Sequence, residues 1–104
     1  MTLNSLVFAE LANKIQSDEN VSESARRVCI DLLDSLRKFH SVPTFSSVED
    51  GGGCFYWVDS RLCCDVDGDG IIYVEQLGDG VGEELECSVE EVYARLSRHL
   101  KLAE

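Results

Sequence analysis

The chain has 104 residues, of which 44% are hydrophobic, so it is long enough for one domain with a hydrophobic core and too short for two. Its 20 acidic and 9 basic side chains give a formal net charge of −11, which argues against direct binding to nucleic acid or to an anionic membrane. The N-terminus lacks the basic start and apolar run of a secretory signal, and the five cysteines are an odd number, so we expect a cytoplasmic protein with free thiols.

The first 40 residues indicate two amphipathic helices. Over residues 3–16 an apolar residue recurs at every fourth position, as on the buried side of a helix. A second apolar stripe predicts a helix over residues 21–39, with Asn20 as its cap and Glu23 completing a capping-box pattern. Pro43 then ends the helical pattern, because proline disfavours helical geometry in the residue before it.

Beyond Pro43 the hydrophobic period changes to two, which indicates antiparallel strands separated by glycine-rich turns. The candidate strands are residues 44–48, 54–59, 61–67 and 71–77. Ser88 and Glu91 form a second capping-box pattern, which predicts a last helix that continues to about residue 102. We therefore expect a single domain of the α+β class, in which two helices precede a three- to four-stranded antiparallel sheet, a C-terminal helix closes the chain, and the helices pack on one side.

The negative charge is concentrated in the second half of the chain. Residues 49–91 contain 13 acidic side chains and a single basic one, Arg61, whereas the rest of the chain has 7 acidic and 8 basic side chains. Such a concentration costs self-repulsion and exceeds what solubility requires, so it predicts a binding surface for a basic protein. The carboxylates expected on that surface are Asp59, Asp65, Asp67, Glu75, Asp79, Glu83, Glu84 and Glu86.

Three consecutive aromatic residues, Phe55, Tyr56 and Trp57, stand in one predicted strand. Because side chains alternate across a sheet, at least one of them projects from the face opposite to the others. One interpretation covers that face with a helix and buries all three rings. The other exposes Tyr56 or Trp57 as the aromatic anchor of the acidic surface.

The segment from Asp65 to Gln76 matches the opening of a calcium-binding loop, because Asp65, Asp67 and Asp69 occupy its first three ligand positions. The twelfth position is Gln76 where such loops have a bidentate glutamate, and the flanks alternate like strands. A tight hairpin explains the same residues more simply. Weak binding of Ca²⁺ by Asp65, Asp67, Asp69 and Glu75 is the alternative, and no other cofactor is expected.

No catalytic arrangement is recognisable in the sequence, so an enzyme is not expected. His40 and His99 are expected to be surface residues at or near helix ends. No C-x-x-C pair exists, and the adjacent Cys63 and Cys64 point to opposite faces of a strand, which disfavours a zinc site.

From about residue 22 onward, the chain combines a leucine-rich helix, an Asp50-Gly51-Gly52 turn, a strand containing Trp57 and a hairpin at Asp69-Gly70. In these features it resembles small bacterial and phage proteins of uncharacterised activity. The first helix and the extra Gly53 depart from their pattern. By size and acidity the chain is also similar to anti-CRISPR and toxin-immunity proteins. That resemblance implies a non-catalytic inhibitor that masks a basic, nucleic-acid-binding surface of a target protein; a structural homodimer is a further alternative.

Overall fold

The computed structural model describes residues 3–76 and 85–101 and confirms the α+β class. The helices are α1 (Leu3–Ser17), α2 (Glu23–Leu36) and α3 (Val89–Leu96). Between α2 and α3 lie the strands β1 (Thr44–Ser47), β2 (Gly53–Trp57), β3 (Leu62–Val66), β4 (Ile72–Gln76) and β5 (Leu85–Cys87). The sheet therefore has five strands among the described residues, where the sequence predicts three or four.

All neighbouring strands are antiparallel, and their order in the sheet follows their order in the chain. The strand missing from the sequence prediction is β5, in which Ile72 pairs with Cys87 and Val74 pairs with Leu85. It has three residues, too few for a period of two to stand out in an acidic segment. Pairing with β4 gives these residues a structure that their own pattern does not predict.

The hydrophobic core lies between the helices and one face of the sheet. In β2 every second residue is buried, so that Phe55 and Trp57 point toward the helices. At Gly53 the ring of Phe45 and the thiol of Cys29 approach so closely that a Cβ atom would clash with the ring. The missing side chain therefore lets α2 and β1 pack closely against β2.

The start of α2 differs from the prediction. Its cap is Ser22, not Asn20: the Ser22 hydroxyl accepts a hydrogen bond from the Ala25 amide at 3.1 Å and donates one to the Gly68 carbonyl at 2.7 Å. The Ser22 amide also donates to the Gly51 carbonyl at 2.7 Å. Two sheet turns therefore contact the start of this helix, a tertiary contact that favours Ser22 over the equally suitable Asn20.

One arginine ties the first two helices together. The guanidinium of Arg26 donates hydrogen bonds to the carbonyls of Ile15, Asp18 and Val21. The carbonyl of Ile15 lies in the last turn of α1, where carbonyls lack partners within the helix. Arg26 therefore gives a hydrogen-bond donor to a carbonyl in the last turn of α1 and connects α1, the following loop and α2.

Two helix ends also depart from the sequence pattern. The chain leaves α2 at Leu36, although the apolar stripe continues to the buried Phe39. The predicted capping box of Ser88 and Glu91 is confirmed at the start of α3, but that helix ends at Leu96, before the predicted end at about residue 102.

Within the described part of the chain, no helix combines the length and the apolar character needed to cross a bilayer.

Candidate functional site

The three helices leave one face of the sheet uncovered in the described part of the chain. The helices contact the strands, and in β2 the buried Phe55 and Trp57 alternate with the half-buried Cys54 and Tyr56. In β3 the half-buried Asp65 lies in register with Cys54, and the buried Cys63 lies in register with Tyr56. We call the side chains on that second side the open face: Thr44, Ser46, Cys54, Tyr56, Cys63, Asp65, Tyr73, Glu75 and Glu86.

Strand register arranges the open face in two rows that run across the sheet. The first row is Thr44, Tyr56, Cys63 and Glu75, and the second is Ser46, Cys54, Asp65, Tyr73 and Glu86. Directly opposed side chains on neighbouring strands have Cβ atoms about 4.5–5.5 Å apart. The register therefore brings together, from four strands, phenol rings, thiols and carboxylates that are distant in the sequence.

Two thiols occupy the middle of the open face. Burial raises the pKa of Cys54, and a hydrogen bond with the Asp65 side chain raises it further. Burial also raises the pKa of Cys63, to which the negative charges of Asp65 and Glu75 add. Both thiols therefore favour the protonated form, which is a poor nucleophile. The negative charge of Asp65 contributes to the raised pKa of each thiol.

A groove of about 690 Å³ lies at one end of the open face, where the β1–β2 and β3–β4 turns meet. It is lined by Val48, Glu49, Asp50, Asp65, Val66, Asp67 and Tyr73. Asp50 and Asp67 each use one carboxylate oxygen to accept backbone hydrogen bonds within their own turns, all at 2.9 Å. The groove therefore continues the negative charge of the open face onto the two turns.

The structure brings together part of the predicted binding set. Asp65, Glu75 and Glu86 lie on the open face with Tyr56, and Asp67 lines the groove beside them. Asp59 lies in the β2–β3 turn, at the end of the sheet opposite to the groove. The predicted residues Asp79, Glu83 and Glu84 lie outside the described residues.

Trp57 does not serve as the exposed aromatic anchor that the sequence allows. It points to the core side, only 2% of its surface is exposed, and its indole N–H donates to the Ser41 carbonyl at 3.4 Å. Its neighbour Tyr56 points the other way and is half-buried on the open face. Alternation along β2 thus separates the two candidates and leaves Tyr56 as the accessible one.

The calcium alternative finds no support in the geometry. The Asp67 carboxylate accepts from the Asp69 and Ile71 amides, and the Asp67 amide donates to the Ile71 carbonyl at 2.9 Å, so the segment forms a hairpin turn. Among the residues that the structure describes, no three histidine, cysteine or acidic side chains are placed to hold a metal ion. Asp67 therefore stabilises the β3–β4 turn, while Asp65 lies in β3.

The negative charge of the open face is not neutralised by ion pairs within residues 3–76 and 85–101. The two ion pairs found there join Arg27 to Glu23 and Arg95 to Glu91, each within a single helix. All four partners lie on helices, away from the open face. Neither of the ion pairs in this part of the chain therefore involves a carboxylate of the open face.

One edge of the sheet carries a lysine that bears on the homodimer alternative. The Lys14 ammonium of α1 donates to the Phe45 carbonyl of β1 at 2.7 Å. A side chain that covers a backbone group of an edge strand disfavours pairing of that edge with a second sheet. The contact therefore argues against a dimer formed through β1.

Some residues of the site escape the sequence prediction. Cys54, Cys63 and Tyr73 join the open face through strand alternation, and Glu49 and Asp50 join the groove because two turns meet there. Alternation within each predicted strand is a signal that could have found the first three. The meeting of the turns depends on strand order, which the sequence does not show.

Comparison of the chain with protein-family models, with curated proteins and with solved structures finds no match.

Proposed function

We propose that this protein is a non-catalytic binding protein that covers a basic surface of another protein with its open face, as an inhibitor or neutraliser of the anti-CRISPR or toxin-immunity type. The observation that carries the proposal is the placement of Asp65, Glu75 and Glu86 with Tyr56 on one uncovered sheet face. In the described part of the chain, no basic side chain pairs with these carboxylates. The natural complement of such a face is a positively charged protein.

The physical role of the carboxylates is to attract and orient the partner. Uncompensated charge on one face accelerates the encounter with a surface of opposite sign and favours one orientation of docking. A target that binds nucleic acid offers such a surface, and the carboxylates would take the positions of phosphate groups. Tyr56 supplies the aromatic contact area that holds the complex after the encounter.

The state of the thiols supports a binding role over a catalytic one. Burial raises the pKa of all five cysteines, so none is prepared as a thiolate nucleophile. All five are free in the structure, which fits the reducing environment of the cytoplasm, where we place the protein.

Capture from a lysate of the source cells tests the proposal when it is combined with matched charge variants. We would compare the wild type with the double variant Asp65→Asn/Glu75→Gln, at low and at high salt, and identify the captured proteins by mass spectrometry. The control is Glu10→Gln/Asp34→Asn, which removes the same two charges from exposed positions on the helices.

We expect basic proteins that are retained by the wild type and by the control, and lost with the open-face variant and at high salt. The interaction is then repeated with the purified target. Capture that is insensitive both to the open-face substitutions and to salt would refute the proposed function, because its electrostatic basis would be absent.

A further inference from the structure

Two cysteines lie next to each other on the open face. Cys54 on β2 and Cys63 on β3 occupy diagonal positions of neighbouring strands, because Cys54 stands opposite Asp65 and Cys63 precedes Asp65 by two residues. The other cysteines belong to the hydrophobic core: Cys29, Cys64 and Cys87. Cys54 and Cys63 therefore form a pair that is separate from the thiols between the helices and the sheet.

Backbone pairing explains why these two side chains meet. The Asp67 amide donates to the Ile71 carbonyl at 2.9 Å, which begins the hydrogen-bonded pairs between β3 and β4. Since such pairs recur at every second residue, the register gives Cys63 and Asp65 backbone bonds to β4. Toward β2 both residues then form non-hydrogen-bonded pairs, in which opposed side chains lie closer together. The right-handed twist of a sheet shortens one of the two diagonals across these pairs.

A side-chain hydrogen bond between the thiols shows that the diagonal from Cys54 to Cys63 is the short one. Burial is the largest cause of the raised pKa of each thiol, and this hydrogen bond adds to the rise at Cys54 and opposes it at Cys63. A disulfide needs Cα atoms about 4.4–6.8 Å apart, against about 7–8 Å for an average diagonal pair. A movement of about 1 Å or less therefore allows the two sulfurs to bond.

We propose that Cys54 and Cys63 form a reversible disulfide between β2 and β3 when the protein meets a low-molecular-weight disulfide, for which oxidised glutathione is the probe. The inference does not depend on the proposed function, because it concerns a bond within this chain. The new bond lies on the open face beside Asp65 and Tyr56, so oxidation changes that surface while the core thiols stay reduced.

The reaction is a two-step thiol–disulfide exchange. Cys54 is half-buried and Cys63 is 9% exposed, so the Cys54 sulfur is the one that attacks oxidised glutathione, forming a mixed disulfide and releasing one glutathione. The Cys63 sulfur then attacks the Cys54 sulfur, the bond to glutathione breaks, and the second glutathione leaves. The two cysteines give up two electrons and two protons, and the glutathione disulfide takes them up as two thiols.

The environment of the pair makes this exchange slow in both directions. Only a thiolate attacks a disulfide, and burial and the Asp65 charge raise the pKa of both thiols. A sulfur with a raised pKa is also a poor leaving group, so the disulfide breaks slowly once it has formed. The pair therefore records prolonged exposure to an oxidant and does not respond to a brief one.

Mass spectrometry of the full chain tests the inference. The reduced protein is incubated with excess oxidised glutathione, free thiols are blocked with iodoacetamide, and the intact mass is compared with that of an unoxidised sample blocked after unfolding. Oxidation of one pair lowers the chain mass by about 2 Da before blocking and leaves two fewer thiols to block. Because Arg61 lies between the two cysteines, trypsin separates them, and a disulfide keeps the two peptides joined until a reductant is added.

Matched cysteine variants identify the bond. Cys54→Ala and Cys63→Ala should each abolish the joined peptides. The control is Cys64→Ala, which removes the neighbouring thiol on the buried side of β3 and should leave the joined peptides in place. Circular dichroism checks that each variant is folded, and Cys87→Ala replaces Cys64→Ala as the control if the latter does not fold.

Several results would overturn the inference. Joined peptides that persist in Cys63→Ala would assign the bond to another cysteine, and a bond between two chains would exclude the pair within one chain. Glutathione that stays attached to Cys54 would show that Cys63 cannot reach it. An unoxidised folded chain, under conditions that oxidise the urea-unfolded chain, would show that the diagonal is too long. The capture experiment judges the proposed function separately from all of these results.

Discussion

Replacing Asp65 by asparagine should make the protein more stable. Asp65 lies on the open face with other carboxylates nearby and, in the described part of the chain, no basic partner. Asparagine has nearly the same shape and can still accept a hydrogen bond from the Cys54 thiol. The substitution therefore removes repulsion while leaving the packing of the sheet unchanged.

The size of the effect follows from the register. Glu75 is the diagonal neighbour of Asp65, and Asp67 lies two residues further along the chain, each at about 7 Å, where two charges in water repel by about 0.6 kcal/mol. Glu86 lies two strands away, at about 9.6 Å, and contributes about 0.4 kcal/mol. Because mobile side chains and residual salt weaken these terms, we expect the free energy of unfolding to rise by about 1 kcal/mol, or about 4–8 °C in Tm.

Thermal and urea unfolding, each at low and at high salt, measure the change. The control is Asp34→Asn at an exposed position of α2, away from the open face, where we expect little change in stability. At high salt the gain for Asp65→Asn should disappear, since the screening length falls to about 3 Å at 1 M. A loss of stability at low salt, or a gain that salt does not change, would refute the reasoning that these carboxylates repel one another.

Three further predictions concern packing, the sheet edge and the thiols. Gly52→Ala should lower the free energy of unfolding by about 2 kcal/mol, because the new Cβ atom would clash with the Val66 carbonyl. An unchanged midpoint of urea unfolding would contradict this prediction. Lys14→Met removes the donor to the Phe45 carbonyl and should increase self-association in sedimentation velocity; equal behaviour of variant and wild type at all concentrations would show that the lysine does not protect the edge. Burial raises the pKa of Cys29 from 9.0 to about 12. Between pH 9 and pH 12 the unfolded chain therefore loses the thiol proton while the folded chain keeps it. The free energy of unfolding should fall over this range by up to about 1.4 kcal/mol per pH unit for this thiol. Cys29→Ala should show a shallower fall, and equal slopes would exclude this thiol as a cause.

The class of the fold could be predicted because the three helices and the first four strands are consistent with their own local patterns. The helices have apolar stripes, and the strands alternate between glycine-rich turns, so the order of elements follows from periodicity alone. The failures occur where tertiary contacts decide. Ser22 replaces Asn20 as the cap because two turns of the sheet reach it, and β5 forms because β4 offers an edge.

The candidate site was predictable in composition and less so in position. Acidic residues of the sheet half were expected to bind, and Asp65, Glu75 and Glu86 do share one face. Which of the neighbours Tyr56 and Trp57 is accessible depends on the side from which the helices pack, and that side is determined by the whole chain. The same choice of side places Cys63 on the open face in register with Tyr56.

In the part of the chain that the structure describes, this fold separates the buried residues between helices and sheet from the side chains of the open face. The core can remain constant while side chains on the other face are exchanged at little cost to stability, as Asp65→Asn is expected to demonstrate. A scaffold built in this way offers protein engineers a five-stranded face on which side chains can be varied without changing the core.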